Sequence, residues 1–192
     1  MQTDLIAVLA RIDRALEGLH VAYVIGGSVA STLHGEPRMT QDVDVLLEIA
    51  PWHLTAVAKA LGEFSIDSIA AAEALRRGDA FQAIDDATGW KIDLFPAGDE
   101  PADLAQLARR VRVDLDPTSG DGAWIASPED IVLRKLEWFR RSGGVLERQL
   151  RDVAGVLKVQ RGRLDEPYLT EHARRRGLSD LLDRARRAAG AP

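Results

Sequence analysis

No cysteine occurs among the 192 residues, which excludes a disulfide framework and thiolate metal sites alike. No apolar run approaches the roughly eighteen residues that span a bilayer. Arg11, Asp13 and Arg14 interrupt the N-terminal apolar pattern, so a secretory leader is not expected there and a cytoplasmic location is. Aromatic residues are scarce at 5%. The four tryptophans, Trp52, Trp90, Trp124 and Trp138, read as core or lobe-interface anchors. Histidine is also rare, and His20, His34, His53 and His172 show no ligand spacing. What remains is 46% hydrophobic and 29% charged, enough for one globular domain or for a small catalytic lobe with a helical appendage.

The stretch from Val24 to Ile49 carries most of the chemistry. Val24-Ile25 followed by Gly26-Gly27-Ser28 reads as a buried strand that ends in a tight turn, where backbone can approach a ligand closely. A helix is expected through Val29 to Leu33, stopped near Gly35 and Pro37. Its N-terminus, with unpaired N–H groups and a positive dipole end, suits a phosphate, and Ser28 can serve as a cap, a phosphate ligand or both. The next strand alternates Asp42, Asp44, Leu46 and Glu48 against Val43, Val45, Leu47 and Ile49, so period two puts both aspartates on one face.

Two carboxylates about 7 Å apart on a strand repel unless a positive charge sits between them, and a divalent cation is the simplest answer. Hard oxygen ligands suit Mg²⁺, which completes its shell with water and substrate phosphates. Trp90 to Pro96 reads as another strand, with Asp93 on the side of Lys91 and Phe95. Three carboxylates facing a glycine-rich phosphate turn make two-metal phosphoryl or nucleotidyl transfer the economical reading. Arg38 and Thr40, just before the aspartate pair, are either loop and strand-start residues or a phosphate contact and a hydroxyl supporting the carboxylates.

Along the rest of the chain, Leu5, Ile6, Leu9, Ile12, Leu16 and Leu19 predict an amphipathic helix over 3–19. Pro51 opens a helix that Gly62 ends, and 67–78 is helical or irregular. Phe81 to Asp85 and the Asp93 strand form a hairpin around 86–89, and a helix follows through Leu104 and Leu107. Val113 with Leu115, and Ala123 to Ala126, are short strands. Ser127-Pro128-Glu129-Asp130 is a helix start, with Ser127 as cap, and the chain beyond it reads as wholly helical. Charge changes with texture. Residues 1–133 hold 10 Lys and Arg against 22 Asp and Glu, whereas 134–192 hold 15 against 8. The basic positions are nearly all arginine, which fits phosphate recognition or, equally, solvated helix faces.

Gly26-Gly27-Ser28 followed by Asp42-Val43-Asp44 and a later strand Asp93 resembles the DNA polymerase β superfamily of nucleotidyltransferases. The finer pattern Arg38-Met39-Thr40-Gln41-Asp42-Val43-Asp44 is similar to the AbiEii and MenT-like branch of toxin nucleotidyltransferases. The resemblance implies an α+β fold, a small mixed β-sheet flanked by helices over 1–126 as the catalytic domain, with a basic helical lobe over 127–192. It implies that Asp42, Asp44 and Asp93 hold Mg²⁺ or Mn²⁺. Gly26, Gly27 and Ser28, with Arg38 and Thr40, would take the triphosphate of an NTP such as ATP. The nucleotide then passes to a hydroxyl acceptor: a tRNA end, a protein side chain or a small antibiotic-like compound, with the basic lobe favouring RNA. The likeness also implies a toxin with a cognate antitoxin. Lys135 in Ile131 to Glu137 and the pair Arg151-Asp152 resemble the same branch, which implies that Lys135 contacts nucleotide phosphates and that Asp152 orients a neighbouring basic group. Here the chain departs from the pattern, because Ser142-Gly143-Gly144 interrupts the interval between them. Two other readings stay open: a nucleotide- and metal-binding partner without turnover, and a metal-dependent phosphohydrolase.

Overall fold

The computed structural model describes residues 2–116 and 118–190. In chain order its elements begin with α1 (Gln2–Gly18), β1 (Tyr23–Ile25), α2 (Gly27–His34) and β2 (Asp42–Leu47). After a single 3₁₀ turn at Pro51–His53 come α3 (Leu54–Ala60), β3 (Phe64–Ser65), α4 (Ser68–Arg77), β4 (Phe81–Asp85) and β5 (Lys91–Pro96). Then follow α5 (Pro101–Ala108), β6 (Val111–Asp116) and β7 (Asp121–Ile125). The remainder is α6 (Pro128–Arg141), α7 (Glu147–Val159), α8 (Glu166–Arg175) and α9 (Ser179–Ala188).

Contacts divide the chain into two compact units. The first runs to Gly26 and resumes over Thr40–Ala126; the second joins Gly27–Met39 to the chain from Ser127 onward. The sequence reading drew one boundary, at 126/127, and kept the Gly27–Met39 excursion with the strands; its packing is instead with the C-terminal helices.

In the first unit the seven described strands form one mixed sheet, ordered β3-β4-β5-β2-β1-β7-β6. The fold class is therefore the expected α+β type with a mixed sheet. β2 pairs parallel with β5 and antiparallel with β1, and β1 pairs parallel with β7. Apolar alternation decides which strand face is buried: Val43, Val45, Leu47, Ile92 and Leu94 lie in the core with Tyr23, Val24 and Ile25. Leu9, Ile12 and Leu16, spaced three and four apart, make the buried stripe of α1. The segment left open between helix and irregular structure is α4, because Asp67 accepts from the N–H groups of Ile69 and Ala70 and Gly78 closes the helix at φ 73°. The two-residue β3 carries no sequence pattern and exists only through its pairing with β4.

In the second unit α2 packs on α6 and α7, and α9 on α7 and α8. Gly35 is the tightest point, since a Cβ there would lie 2.8 Å from the Ser31 carbonyl oxygen and 2.8 Å from Val156 N. Ser127 caps α6 as expected, accepting from the Asp130 N–H with Pro128 in the first turn.

The tryptophans divide. Trp90 is buried, but Trp52 and Trp138 are 78% and 47% exposed and anchor no core.

Candidate functional site

In the sheet unit, the site residues follow from strand register. Asp42 and Asp44 share a face because they are two residues apart on β2. Asp44 stands directly opposite Asp93 across the parallel β2–β5 pair, and Asp42 stands opposite Lys91. The next strand continues both rows, with Gln82 opposite Asp93 and Ile84 opposite Lys91. The face is open: Asp42, Lys91, Gln82 and Ile84 are exposed, and Asp44 and Asp93 are half-buried.

Each outer carboxylate is already oriented by neighbouring donors. The Thr40 hydroxyl donates to Asp42 Oδ1 at 2.9 Å, and the Gln41 N–H donates to the same oxygen at 3.2 Å. Gln82 Nε2 donates to Asp93 Oδ1 at 2.7 Å. Where β1 ends, the Gly26 N–H donates to the Asp44 carbonyl at 2.9 Å, which ties the start of the glycine turn to the aspartate strand. Gly27 follows with φ 55°, a left-handed conformation that glycine adopts without a Cβ penalty.

Among the described residues, no three His, Asp or Glu side chains come together in a group that could hold a metal ion. Asp42, Asp44 and Asp93 are hard oxygen donors set side by side by the β2–β5 register. Mg²⁺ or Mn²⁺ takes one or two carboxylates and fills the rest of its shell with water and phosphate oxygens, which an open row of aspartates on a rigid sheet allows.

The helical unit holds a second cluster, centred on Asp152. Lys135, 4% exposed on α6, donates through Nζ to Asp152 Oδ2 at 2.6 Å and to Gln149 Oε1 at 3.1 Å. Arg38 clasps the same carboxylate, with Nε 2.9 Å from Oδ1 and Nη2 3.1 Å from Oδ2. Arg38 Nη2 also donates to the Ser28 hydroxyl, and Nη1 to the Met39 carbonyl at 3.1 Å. Burial pushes the Asp152 carboxyl up, but hydrogen bonds from Arg38 and Lys135 outweigh it and hold the group below the ordinary carboxylate range. Ser28 lies inside the first turn of α2 rather than capping it, since the helix begins at Gly27.

Sequence reasoning named Ser28, Arg38, Lys135 and Asp152 separately; it did not foresee that Arg38 and Asp152, 114 residues apart, form one ion pair. Gln149 and Gln82 were missed. Gln82 alternates with buried Phe81 and Ala83, so strand period was the available signal for its face.

The arginines of the helical unit are mostly engaged internally. Arg161 donates to the Ala189 and Gly190 carbonyls at the end of α9, and Arg140 to those of Arg176 and Gly177 after α8. Arg174 and Arg175 pair with Glu171, Arg176 with Glu137, Arg184 with Glu147 and Arg186 with Glu166. Arg141, Arg148, Arg151, Arg163 and Arg187 have no ion pair among the described residues. No described helix is long and apolar enough to cross a membrane.

The fold is that of nucleotidyltransferase-like proteins. An antigenic nucleotidyltransferase-like protein from Paracoccidioides brasiliensis aligns over 93% of this chain and 92% of its own, with a TM-score of 0.60 at 20% identity. The antibiotic-resistance factor ANT(2'')-Ia, in its solution structure, aligns over 98% and 100% with a TM-score of 0.54 at 15% identity. The crystal structure of ANT(2'')-Ia with adenylyl-2''-tobramycin aligns over 90% and 99% with a TM-score of 0.56 at 13% identity. No protein-family model matches the sequence, and no curated protein matches it.

Proposed function

We propose that this chain is a metal-dependent nucleotidyltransferase that moves a nucleotide from an NTP to a hydroxyl acceptor, with RNA, a tRNA end in particular, as the acceptor. The observation that carries the reading is the open face on which β2 and β5 align Asp42, Asp44 and Asp93, with the Gly26–Asp44 hydrogen bond holding the end of β1 against the aspartate strand.

Asp42, Asp44 and Asp93 would hold Mg²⁺ or Mn²⁺, and the ion would supply charge neutralisation and Lewis-acid polarisation of the phosphate. The backbone of Gly26 and Gly27 and the hydroxyl of Ser28 receive the triphosphate. Arg38 and Lys135 supply positive charge toward it, with Asp152 keeping both side chains in place. Asp93 lies beside the acceptor hydroxyl and favours loss of its proton. The acceptor oxygen then forms a bond to the α-phosphorus in line with the breaking bond to the bridging oxygen, and pyrophosphate leaves.

The arginines without ion pairs support an anionic acceptor, which a phosphodiester chain provides. The motif Arg38 to Asp44 supports placing the activity in a toxin–antitoxin-type system with a cognate antitoxin. A second reading keeps the chemistry and replaces RNA by a small polyhydroxyl antibiotic; the fold likeness to ANT(2'')-Ia favours it.

The test is incubation with Mg²⁺, each of four α-labelled NTPs, and either total tRNA or tobramycin, beside the Asp44→Asn variant. We expect label in RNA with the wild type and at least about a hundredfold less with the folded variant. Retained transfer by that variant would remove Asp44 from the site. Bound NTP with no label in any acceptor would turn the reading into a nucleotide-binding regulatory partner.

A further inference from the structure

The row on the open sheet face extends one strand past the carboxylates, to Gln82. This side chain is exposed, and its amide nitrogen donates to Asp93 Oδ1 at 2.7 Å. A carboxylate only accepts, so the nitrogen must face Asp93 and the amide plane is fixed with its carbonyl oxygen turned away. That oxygen accepts no hydrogen bond among the described residues. Its surroundings are open as well, since Ile84 is 42% exposed and Lys91 is exposed in the parallel row alongside.

The inference rests on the nucleotidyltransferase reading. Given that reading, we propose that Gln82 is a specificity-determining residue for the acceptor. Its nitrogen positions Asp93, while its carbonyl oxygen accepts a hydrogen bond from a second donor group on the carbon next to the hydroxyl that is attacked. The acceptor class is accordingly a vicinal diol or amino alcohol rather than an isolated alcohol. A ribose end meets this requirement, because the 2′-hydroxyl neighbours the 3′-hydroxyl, and a 2′-deoxyribose end does not. An aminoglycoside meets it through adjacent amino and hydroxyl groups.

The geometry argues for this division of labour within one amide. A purely structural contact would join two groups that have no other use for their remaining polar atoms. Here both are on an unroofed face, where neighbouring strands set opposite side chains about 5 Å apart at their Cβ atoms. Lys91, two residues before Asp93 on the same strand, adds a positive charge beside this position. It favours an anionic backbone near a ribose end.

The experiment compares two oligonucleotides of one sequence, ending in ribose or in 2′-deoxyribose, as acceptors for the full chain, for Gln82→Leu and for Gln82→Glu. Circular dichroism and melting temperature establish that the variants fold, as expected for an exposed position. The wild type should prefer the ribose end in kcat/KM by about three- to tenfold, the worth of one hydrogen bond. Gln82→Leu should lower kcat on both ends by about tenfold through the unsupported Asp93 and should erase the preference. Gln82→Glu keeps an accepting oxygen but loses the donor, so kcat should fall while the preference persists. Tobramycin in a parallel arm separates the two sources: transfer to it alone, reduced in Gln82→Leu, identifies the amino alcohol. Transfer with equal use of both RNA ends by the wild type and none to tobramycin, or a preference that Gln82→Leu retains, overturns the role of Gln82. Absence of transfer by the wild type to every acceptor instead overturns the transferase reading, and this inference with it.

Discussion

The carboxylates of β2 and β5 stand on an open sheet face, while Lys135 and Asp152 are buried between α6 and α7. The contrast shows two ways of holding charge. On the sheet, like charges are brought close by backbone register: each aspartate is placed by the pairing of its strand. Solvent and dissolved ions screen their repulsion, and Lys91 stands opposite Asp42 on the same face. In the helical unit, opposite charges hold one another. Asp152 has been taken out of water, which disfavours its charge, and the forks of Arg38 and the ammonium of Lys135 restore what was lost. The first arrangement leaves room for ligand binding; the second organises the shape of a helix bundle and the posture of Ser28.

The comparison is broken most severely by removing one partner of the buried cluster. Asp152→Ala leaves Lys135 buried without its carboxylate and Arg38 without its anchor, so we expect a loss of about 3–5 kcal/mol in chemical denaturation. The same carboxyl predicts a pH signature. Its pKa in the folded state lies below the ordinary value of 3.8. Its contribution is therefore complete at neutral pH and is lost as pH falls from about 3.8 through the lower folded value. Denaturation midpoints of wild type and Asp152→Asn should converge over that acid range; a gap that stays constant would assign the difference to something other than this charge.

Gly35→Ala tests whether the helical unit also needs its backbone approach. The new Cβ would meet backbone atoms of Ser31, Gly155 and Val156 at 2.8–3.0 Å, none of which can rotate away. A cost of about 1–3 kcal/mol is expected from overpacking, read from the same denaturation curves. The smallest effect belongs to the sheet face. Asp42→Asn removes one of several like charges at an exposed strand end, and stability should stay within about 0.5 kcal/mol of wild type or rise. A large loss there would mean that the carboxylate row is structural after all.

How much of this was readable beforehand differs between the two units for the same reason. Val43, Val45 and Leu47 alternate with Asp42 and Asp44, so a period of two announces both the strand and the face its aspartates share. Asp93 in Lys91–Pro96 announces itself likewise. Strand order is another matter. That β5 lies beside β2 in parallel, and so sets Asp93 opposite Asp44, is a property of sheet topology that no local pattern encodes. Gln82 was overlooked because a glutamine on an exposed strand face looks like any solvated residue until its cross-strand partner is known. Trp52 and Trp138 mislead in the opposite sense, since their size argues for burial and their positions leave them exposed.

By itself the sequence determined most of the elements, the cap at Ser127, the two-carboxylate strand and the split between an acidic sheet half and an arginine-rich helical half, because periodicity, capping and charge are local properties. Only tertiary structure decided that Gly27–Met39 packs with the C-terminal helices, that Arg38 meets Asp152 across 114 residues, and that most arginines serve internal ion pairs and helix ends. These depend on which surfaces come together, and a side chain's partner is set by packing that brings distant segments of the chain within the few ångströms a hydrogen bond requires.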